Sequence, residues 1–470
     1  MKEQGTPAYL ATLAEFASTA SMPSFPQAVR DRIRALIADC AAATAAGMQE
    51  PEMQAWIPQY LKRVGEGPCS VIGGARHVPP REAAMLNGAA GTWLELDEGN
   101  LFAGGHPASQ IFPAALAVAQ DLGSTGAELL IAVALGYELS ARINRAAVIH
   151  KAVHPHGTFG TIGAAIAVAR LKKFDPVLMA RIINCAATTG LATSFNTVVE
   201  GATVRNVYSG HAGVMGILVS ELVECGFTGE ADGVSEIYGR VISSGFDRSR
   251  VVENLGSEWL ILQSYTKLHP TGHYVHSAID ALEDLLLKVP GQRLDLTAIE
   301  SMDVRGYERA TRLSEKNVRS TFGARFSIPF ALATILHHGK SGLVPFQEKA
   351  IATAEIQALA QRVSLREDVA FTARYPLEQP IILTIRMRDG TEHEGRCLVT
   401  RGEPANPHTA QELRDKFLEL GAPVWGLSAA RDLHEEFMHI EDVHNVRAFS
   451  ANLSTNPMTL NSTLQEGTAP

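Results

Sequence analysis

QSYTKLHPTGHYVH, Gln263 to His276, is the stretch where the chain changes character. Lys267, His269, His273 and His276 fall within ten positions of a chain that is acidic overall. Pro270 removes a backbone donor and Gly272 tolerates positive φ, so the first part reads as a loop. From His273 the spacing of Val275, Ile279, Leu282, Leu285 and Leu286 predicts a helix with one apolar face. A cationic loop entering a helix N-terminus favours an anion, because the free N–H groups and the macrodipole add to its charge. This loop is therefore expected to form half of a site for a carboxylate substrate.

Before this stretch the chain reads as helices rich in Ala and Gly. Val29, Ile33, Leu36, Ile37 and Cys40 share one face of a helix ending at Gly47. Pro80 opens another, expected to run through Trp93 to Asp97, and further helices are expected at Ile111 to Leu122, Ala127 to Ala147, Thr161 to Leu171, Pro176 to Leu191 and Val204 to Cys225. With little strand signal up to about residue 260, this portion reads as an all-α bundle. After the loop, a strand at Ala298 to Tyr307 and a helix at Phe326 to His337 are followed by a hairpin. Its strands, Ile381 to Arg388 and Thr391 to Thr400, alternate around Asp389-Gly390. The expected fold is mainly α: an all-α domain over 1–265, rejoined by helices within 408–450, and a smaller α+β domain over 266–407. The Asn-, Ser- and Thr-rich stretch 451–470 is expected to be disordered.

At 470 residues the chain is long enough for two or three domains. A net charge of −9 and a pI near 6.0 argue against a nucleic-acid partner. Five scattered cysteines without a C-x-x-C pair argue against a disulfide framework and for a reducing compartment. There is no signal-peptide pattern and no run of roughly 18 apolar residues, so a cytoplasmic protein without a membrane partner is expected. No Walker or dinucleotide fingerprint is present.

The remaining chemistry lies in loops. His106, in AGGHPAS, suits a general base near neutral pH, although a loop histidine can also simply cap the following helix. His154-Pro155-His156 lacks the companions of a zinc site, and Pro270 and Gly272 break the helix that His269 and His273 would need to chelate one; no metal is expected. An acid/base or anion-binding role suits one of the His154/His156 pair better. Glu95, Asp97 and Glu98 read as a solvated helix end. Arg205 opens a helix, where a cation opposes the dipole, which points to a carboxylate that it grips; Arg325 before FSIPF reads similarly, with surface salt bridges as the plainer alternative for both.

Taken in order, ELDEGN with GGHPAS at 95–109, HPHGTFGTIGAA at 154–165, VRNVYSGHAG at 204–213, KLHPTGH at 267–273 and ARFSIPFALA at 324–333 resemble the MmgE/PrpD family over roughly residues 10 to 445. The family includes 2-methylcitrate dehydratase, cis-aconitate decarboxylase and iminodisuccinate epimerase. The resemblance implies a helical domain, a lid domain, a homodimer and chemistry on polycarboxylates without metal or organic cofactor. It places the family's acidic position at Glu95 or Asp97, its histidines at His106 and His154, its lid-entry lysine at Lys267 and its lid tyrosine at Tyr307. Arg205 and Tyr208 depart from the Lys and His that the decarboxylase and many dehydratases carry, and the loop from Asp97 to His106 is longer. ELDEGN and VRNVYSG are worded more like the epimerase branch.

The implied function is proton abstraction next to a carboxylate or imine, foremost epimerisation of an iminodisuccinate-like substrate. The alternatives are dehydration of a 2-methylcitrate-like acid, decarboxylation of cis-aconitate, or non-catalytic binding of a polycarboxylate. His106, His154, Lys267 and Tyr307 are the implied proton-transfer groups. Glu95, Asp97, Arg205, Tyr208, His269, His273 and Arg325 are the implied contacts to a small di- or tricarboxylate.

Overall fold

The structure, a computed structural model, describes residues 5–454. At the centre of its first core lies the helix Phe159–Leu171, buried at every position but Arg170. A helix that is apolar all round needs neighbours on every side. It has them in the helices Pro107–Leu122, Gly126–Arg145, Pro176–Thr189 and Val207–Glu224. Small residues set how closely these helices approach. A Cβ on Gly136 would lie 2.5 Å from the Gly163 carbonyl oxygen, and one on Gly210 would lie 2.3 Å from that of Met85 in the helix Pro80–Gly91.

The helix Gln27–Gly47 packs against Ala410–Trp425 and Leu427–Met438, whose Phe417, Leu420, Leu433 and Phe437 belong to the same apolar cluster. A second cluster surrounds a four-stranded sheet made of β1 (Ile299–Gly306), β2 (Val363–Glu367), β3 (Ile381–Met387) and β4 (Glu392–Cys397), in the order β2-β1-β3-β4. The pairs β3/β4 and β3/β1 are antiparallel, and β1/β2 is parallel. Ile381, Leu383, Ile385 and Met387 alternate inward, and the hairpin turns at Gly390, with φ +87°. The helix His273–Leu287 crosses this sheet so closely that a Cβ on Gly395 would lie 1.9 Å from the Ala281 carbonyl oxygen.

The fold is mainly α, as expected, but several details differ. The helix from Pro80 ends at Gly91, and the acidic residues after it are buried. β2 escaped the sequence reading because its side chains are mostly exposed, leaving little hydrophobic alternation. The first portion also contains short ladders, Gly99–Asn100 with Ser264–Tyr265 and Val153–His154 with Thr193–Ser194, which tie its loops together. Of the stretch expected to be disordered, Ala451–Leu453 forms a 3₁₀ turn with Leu453 buried under the Trp425 indole N–H; 455–470 lie outside the described residues.

Gly210→Val is expected to lower stability by about 1–3 kcal/mol, because the added volume meets backbone rather than a side chain that can turn away. Denaturant midpoints of the two proteins measure this.

Candidate active site

The acidic turn after Gly91 was expected to be solvated. Instead Glu95, Asp97 and Glu98 are 1%, 0% and 0% exposed. Glu95 sits at φ 54°, a conformation that a non-glycine residue adopts only when its surroundings compel it. Those surroundings are cations from distant parts of the chain. Arg325 Nη1 donates to the Leu94 carbonyl at 2.8 Å, and Lys416 Nζ donates to that of Leu96 at 2.7 Å while pairing with Asp39 at 2.6 Å. Arg205 Nη1 meets Glu95 Oε1 at 2.7 Å. Lys267 Nζ donates to the Glu95 carbonyl at 3.1 Å and lies 3.3 Å from Asp97 Oδ1 and 3.5 Å from Glu95 Oε2. Burial raises the Asp97 pKa, but Lys267, His106 and Arg205 outweigh it and hold the group well below the usual carboxylate range. Burial pushes Glu98 up to about 8, although it accepts hydrogen bonds from the Ala108 N–H and the Tyr137 hydroxyl.

On this turn rests His106. It occupies the position before the helix Pro107–Leu122, but its side chain does not cap that helix. Nδ1 lies 3.1 Å from Asp97 Oδ2 and 2.5 Å from the Glu98 carbonyl oxygen. Both neighbours accept, so Nδ1 carries the ring proton and Nε2 keeps its lone pair, on a ring that lines the cleft. His154 is placed differently. The His156 N–H points at its Nδ1 at 3.1 Å and Arg205 Nε donates to its Nε2 at 3.4 Å, so donors face both ring nitrogens. Burial, then Arg205 and His106, push the pKa values of His154 and His156 well below the imidazole value. The three rings form a row, with His106–His156 and His156–His154 centroids each 4.8 Å apart.

A cleft of about 320 Å³ opens over this row, lined on its other side by residues of the second core. His273 stacks on Tyr265, with centroids 3.8 Å apart, and its Nε2 lies 2.6 Å from Glu403 Oε1. Tyr265 also meets the His106 ring edge-on at 6.2 Å.

Of the residues expected at the site, Glu95, His106, His154, Arg205 and His273 line the cleft, and Asp97 supports it from behind. Lys267 does not line it; the ammonium is enclosed by Glu95 and Asp97. Tyr208 lies behind the cleft, edge-on to His154. Arg325 is spent on the Leu94 carbonyl, Tyr307 is buried against Tyr375 at 5.7 Å, and His269 turns toward Asp280 at 3.8 Å. Sequence reasoning missed Tyr265, Tyr274, Glu403 and Arg309. The first two lie inside the loop singled out and Arg309 beside Tyr307, whereas nothing local marks Glu403.

Asp97, His106 and His156 bring three ligand-type atoms within 4.8 Å of one another, and so do His269, Asp280 and Glu283. At the first set Lys267 and Arg205 already neutralise Asp97 and Glu95, and their charge opposes a divalent ion.

Lys267→Ala would leave two buried carboxylates with one cation, and is expected to cost about 3–5 kcal/mol of stability, measured by denaturant unfolding. His154 and His156 stay neutral in the folded chain, whereas unfolded histidine binds a proton below about pH 6.5. The unfolded state then holds more protons, so stability falls as pH drops from about 6.5 toward the lowered folded values, by up to about 1.4 kcal/mol per pH unit for each ring. Denaturant midpoints between pH 7.5 and 5.5 are expected to show this slope, and His156→Gln to reduce it.

Comparison with known proteins gives relatives that are distant but long. The chain is 24% identical to a cis-aconitate decarboxylase of Aspergillus terreus over 76% of this chain and 78% of that one. It is 24% identical to the cis-aconitate decarboxylase-like protein oryM of Aspergillus oryzae, over 94% of this chain and 97% of that one. Residues 11–247 match the MmgE/PrpD N-terminal domain and residues 269–442 the MmgE/PrpD C-terminal domain. The chain belongs to the MmgE/PrpD family.

Proposed function

We propose that this chain is an enzyme that transfers a proton at a carbon next to a carboxylate of a small di- or tricarboxylate. The observation that carries this reading is His106, whose Nδ1 is held by Asp97 and the Glu98 carbonyl oxygen so that Nε2 is left as a base, with Arg205 and His154 lining the same cleft. His106 Nε2 takes the proton from carbon, and Asp97 stabilises the imidazolium that forms. The electron pair moves into the adjacent carboxylate. The second negative charge developing there falls beside the Arg205 guanidinium, which is fixed in advance and buried, where such a group acts most strongly. Because Glu95 already neutralises much of Arg205's charge, this pocket favours charge that develops during reaction over a bound spectator anion.

Epimerisation and dehydration share this first step, whereas decarboxylation reaches the carbanion by losing CO₂ and shares only the final proton transfer to carbon. A second carboxylate-backed histidine, His273 with Glu403, packs against the same tyrosine as His106 and comes from the other core. That favours epimerisation, in which one ring removes a proton and another group returns one to the opposite face of the carbon. The relatives' names favour a lyase. In a dehydration, the carbanion expels a hydroxyl that one of these groups protonates. In a decarboxylation, loss of CO₂ leaves the carbanion and the same acid protonates it.

Proton NMR in D₂O, run on a panel including iminodisuccinate, 2-methylcitrate and cis-aconitate, separates these outcomes. Epimerisation exchanges deuterium into an otherwise unchanged skeleton, dehydration gives an alkene, and decarboxylation gives a product lacking one carboxylate. His106→Asn is expected to reduce turnover by roughly 10²–10⁴-fold. Asp97→Asn is expected to lower it as well, because the imidazolium that forms loses the carboxylate that stabilises it. Near wild-type turnover in the His106 variant would overturn the assignment.

A further inference from the structure

The cations lining the cleft are not equivalent. Arg205 is paired with Glu95 at 2.7 Å, and Arg145 with Glu258 at 3.0 Å. At the mouth, Lys151 and Arg312 meet Glu308 only at 3.9 and 4.0 Å. Arg309 has no ion-pair partner within 4.0 Å among the described residues. It is nevertheless held in place. Its Nη1 donates to the Tyr274 hydroxyl at 3.0 Å, and its guanidinium lies 5.0 Å from the Tyr375 ring centroid and 5.7 Å from that of Tyr274. A tyrosine hydroxyl and two ring faces fix the orientation of a guanidinium without cancelling its charge. A preoriented cation on a cleft wall, without a direct ion-pair partner among the described residues, suits an anion that arrives from solution.

We infer that Arg309, flanked by Arg312 and Lys151, binds a second carboxylate of the substrate, remote from the carbon that reacts. This rests on the proposed proton-transfer reading, which places the first carboxylate beside Arg205. The two ends of the cleft are linked by Phe195, which stacks on His154 at 6.0 Å and carries the Arg312 guanidinium 5.7 Å above its ring. One small molecule reaching both ends must carry carboxylates on separate carbons. The preferred class is therefore a di- or tricarboxylate, and monocarboxylates of the same shape are discriminated against. The guanidinium fork recognises a planar carboxylate through two parallel hydrogen bonds, which an ammonium does not reproduce.

Calorimetric titration with succinate, citrate and butyrate tests this without requiring turnover. Wild-type protein is expected to bind succinate or citrate at least ten-fold more tightly than butyrate, which matches succinate in length but lacks one carboxylate. Arg309→Gln is expected to abolish that preference while leaving butyrate binding unchanged, and Arg309→Lys to restore only part of it. Equal binding of succinate and butyrate by the wild type would overturn the inference, as would a preference that survives Arg309→Gln. The failure of the proton-transfer reading looks different. Preference that depends on Arg309, without deuterium exchange or product from any polycarboxylate, would sink that reading and leave this one standing. Turnover with an unchanged KM in Arg309→Gln would do the reverse.

Discussion

The buried turn from Leu94 to Glu98 is the constraint on which the rest of the structure depends. Five consecutive residues place carbonyl and carboxyl oxygens in the interior, where each needs a donor. The donors come from Arg205 in the first helical portion, from Lys267 and Arg325 around the second core, and from Lys416 on a C-terminal helix. No stretch of sequence supplies them locally. The turn is therefore satisfied only when segments more than 300 positions apart have come together, as Lys416 and Leu96 have. Buried ion pairs of this kind add little net stability over an apolar core, but removing one partner is costly, so the arrangement is all-or-none.

That all-or-none character explains how the cleft gains its electrostatics. Asp97 stays ionised in the interior because Lys267 stands against it, and the ionised Asp97 fixes the proton of His106 on Nδ1. On the neighbouring loop the His156 N–H and Arg205 Nε point at the two ring nitrogens of His154. Burial keeps His154 and His156 from collecting protons that would add further positive charge beside Arg205. Lys267 acts through Asp97 and Glu95, so its influence on the cleft is indirect although its charge is essential to it.

Family membership and reaction separate here. The matches to both domains place the chain in the MmgE/PrpD family, while identity near 24% to the decarboxylases leaves room for the cleft to differ. Arg205 sits against the proposed reacting carboxylate, and Tyr208 lies edge-on to His154 beside it. Function is set by these few side chains more than by the scaffold.

Much was legible in the sequence because it depends on local geometry. The helices follow from the 3.6-residue spacing of apolar side chains, as at His273–Leu287, and the hairpin follows from alternation around Asp389-Gly390. Of the site, His106, His154, Arg205 and His273 could be picked out because chemically active residues stood in Gly- and Pro-containing loops or at helix starts. What the sequence could not reveal was which charges are buried and what they face. Glu95, Asp97 and Glu98 looked like a solvated helix end, and Lys267 looked like a free cation, until the fold enclosed each with the other. Glu403 lies 2.6 Å from His273 although 130 positions separate them, and Arg309 stands out because no carboxylate of the described residues lies within 4.0 Å of it. Periodicity records the backbone's local twist and the face a residue shows. Ionisation, tautomer and free charge depend on neighbours brought in from elsewhere in the chain, and those only the tertiary structure decides.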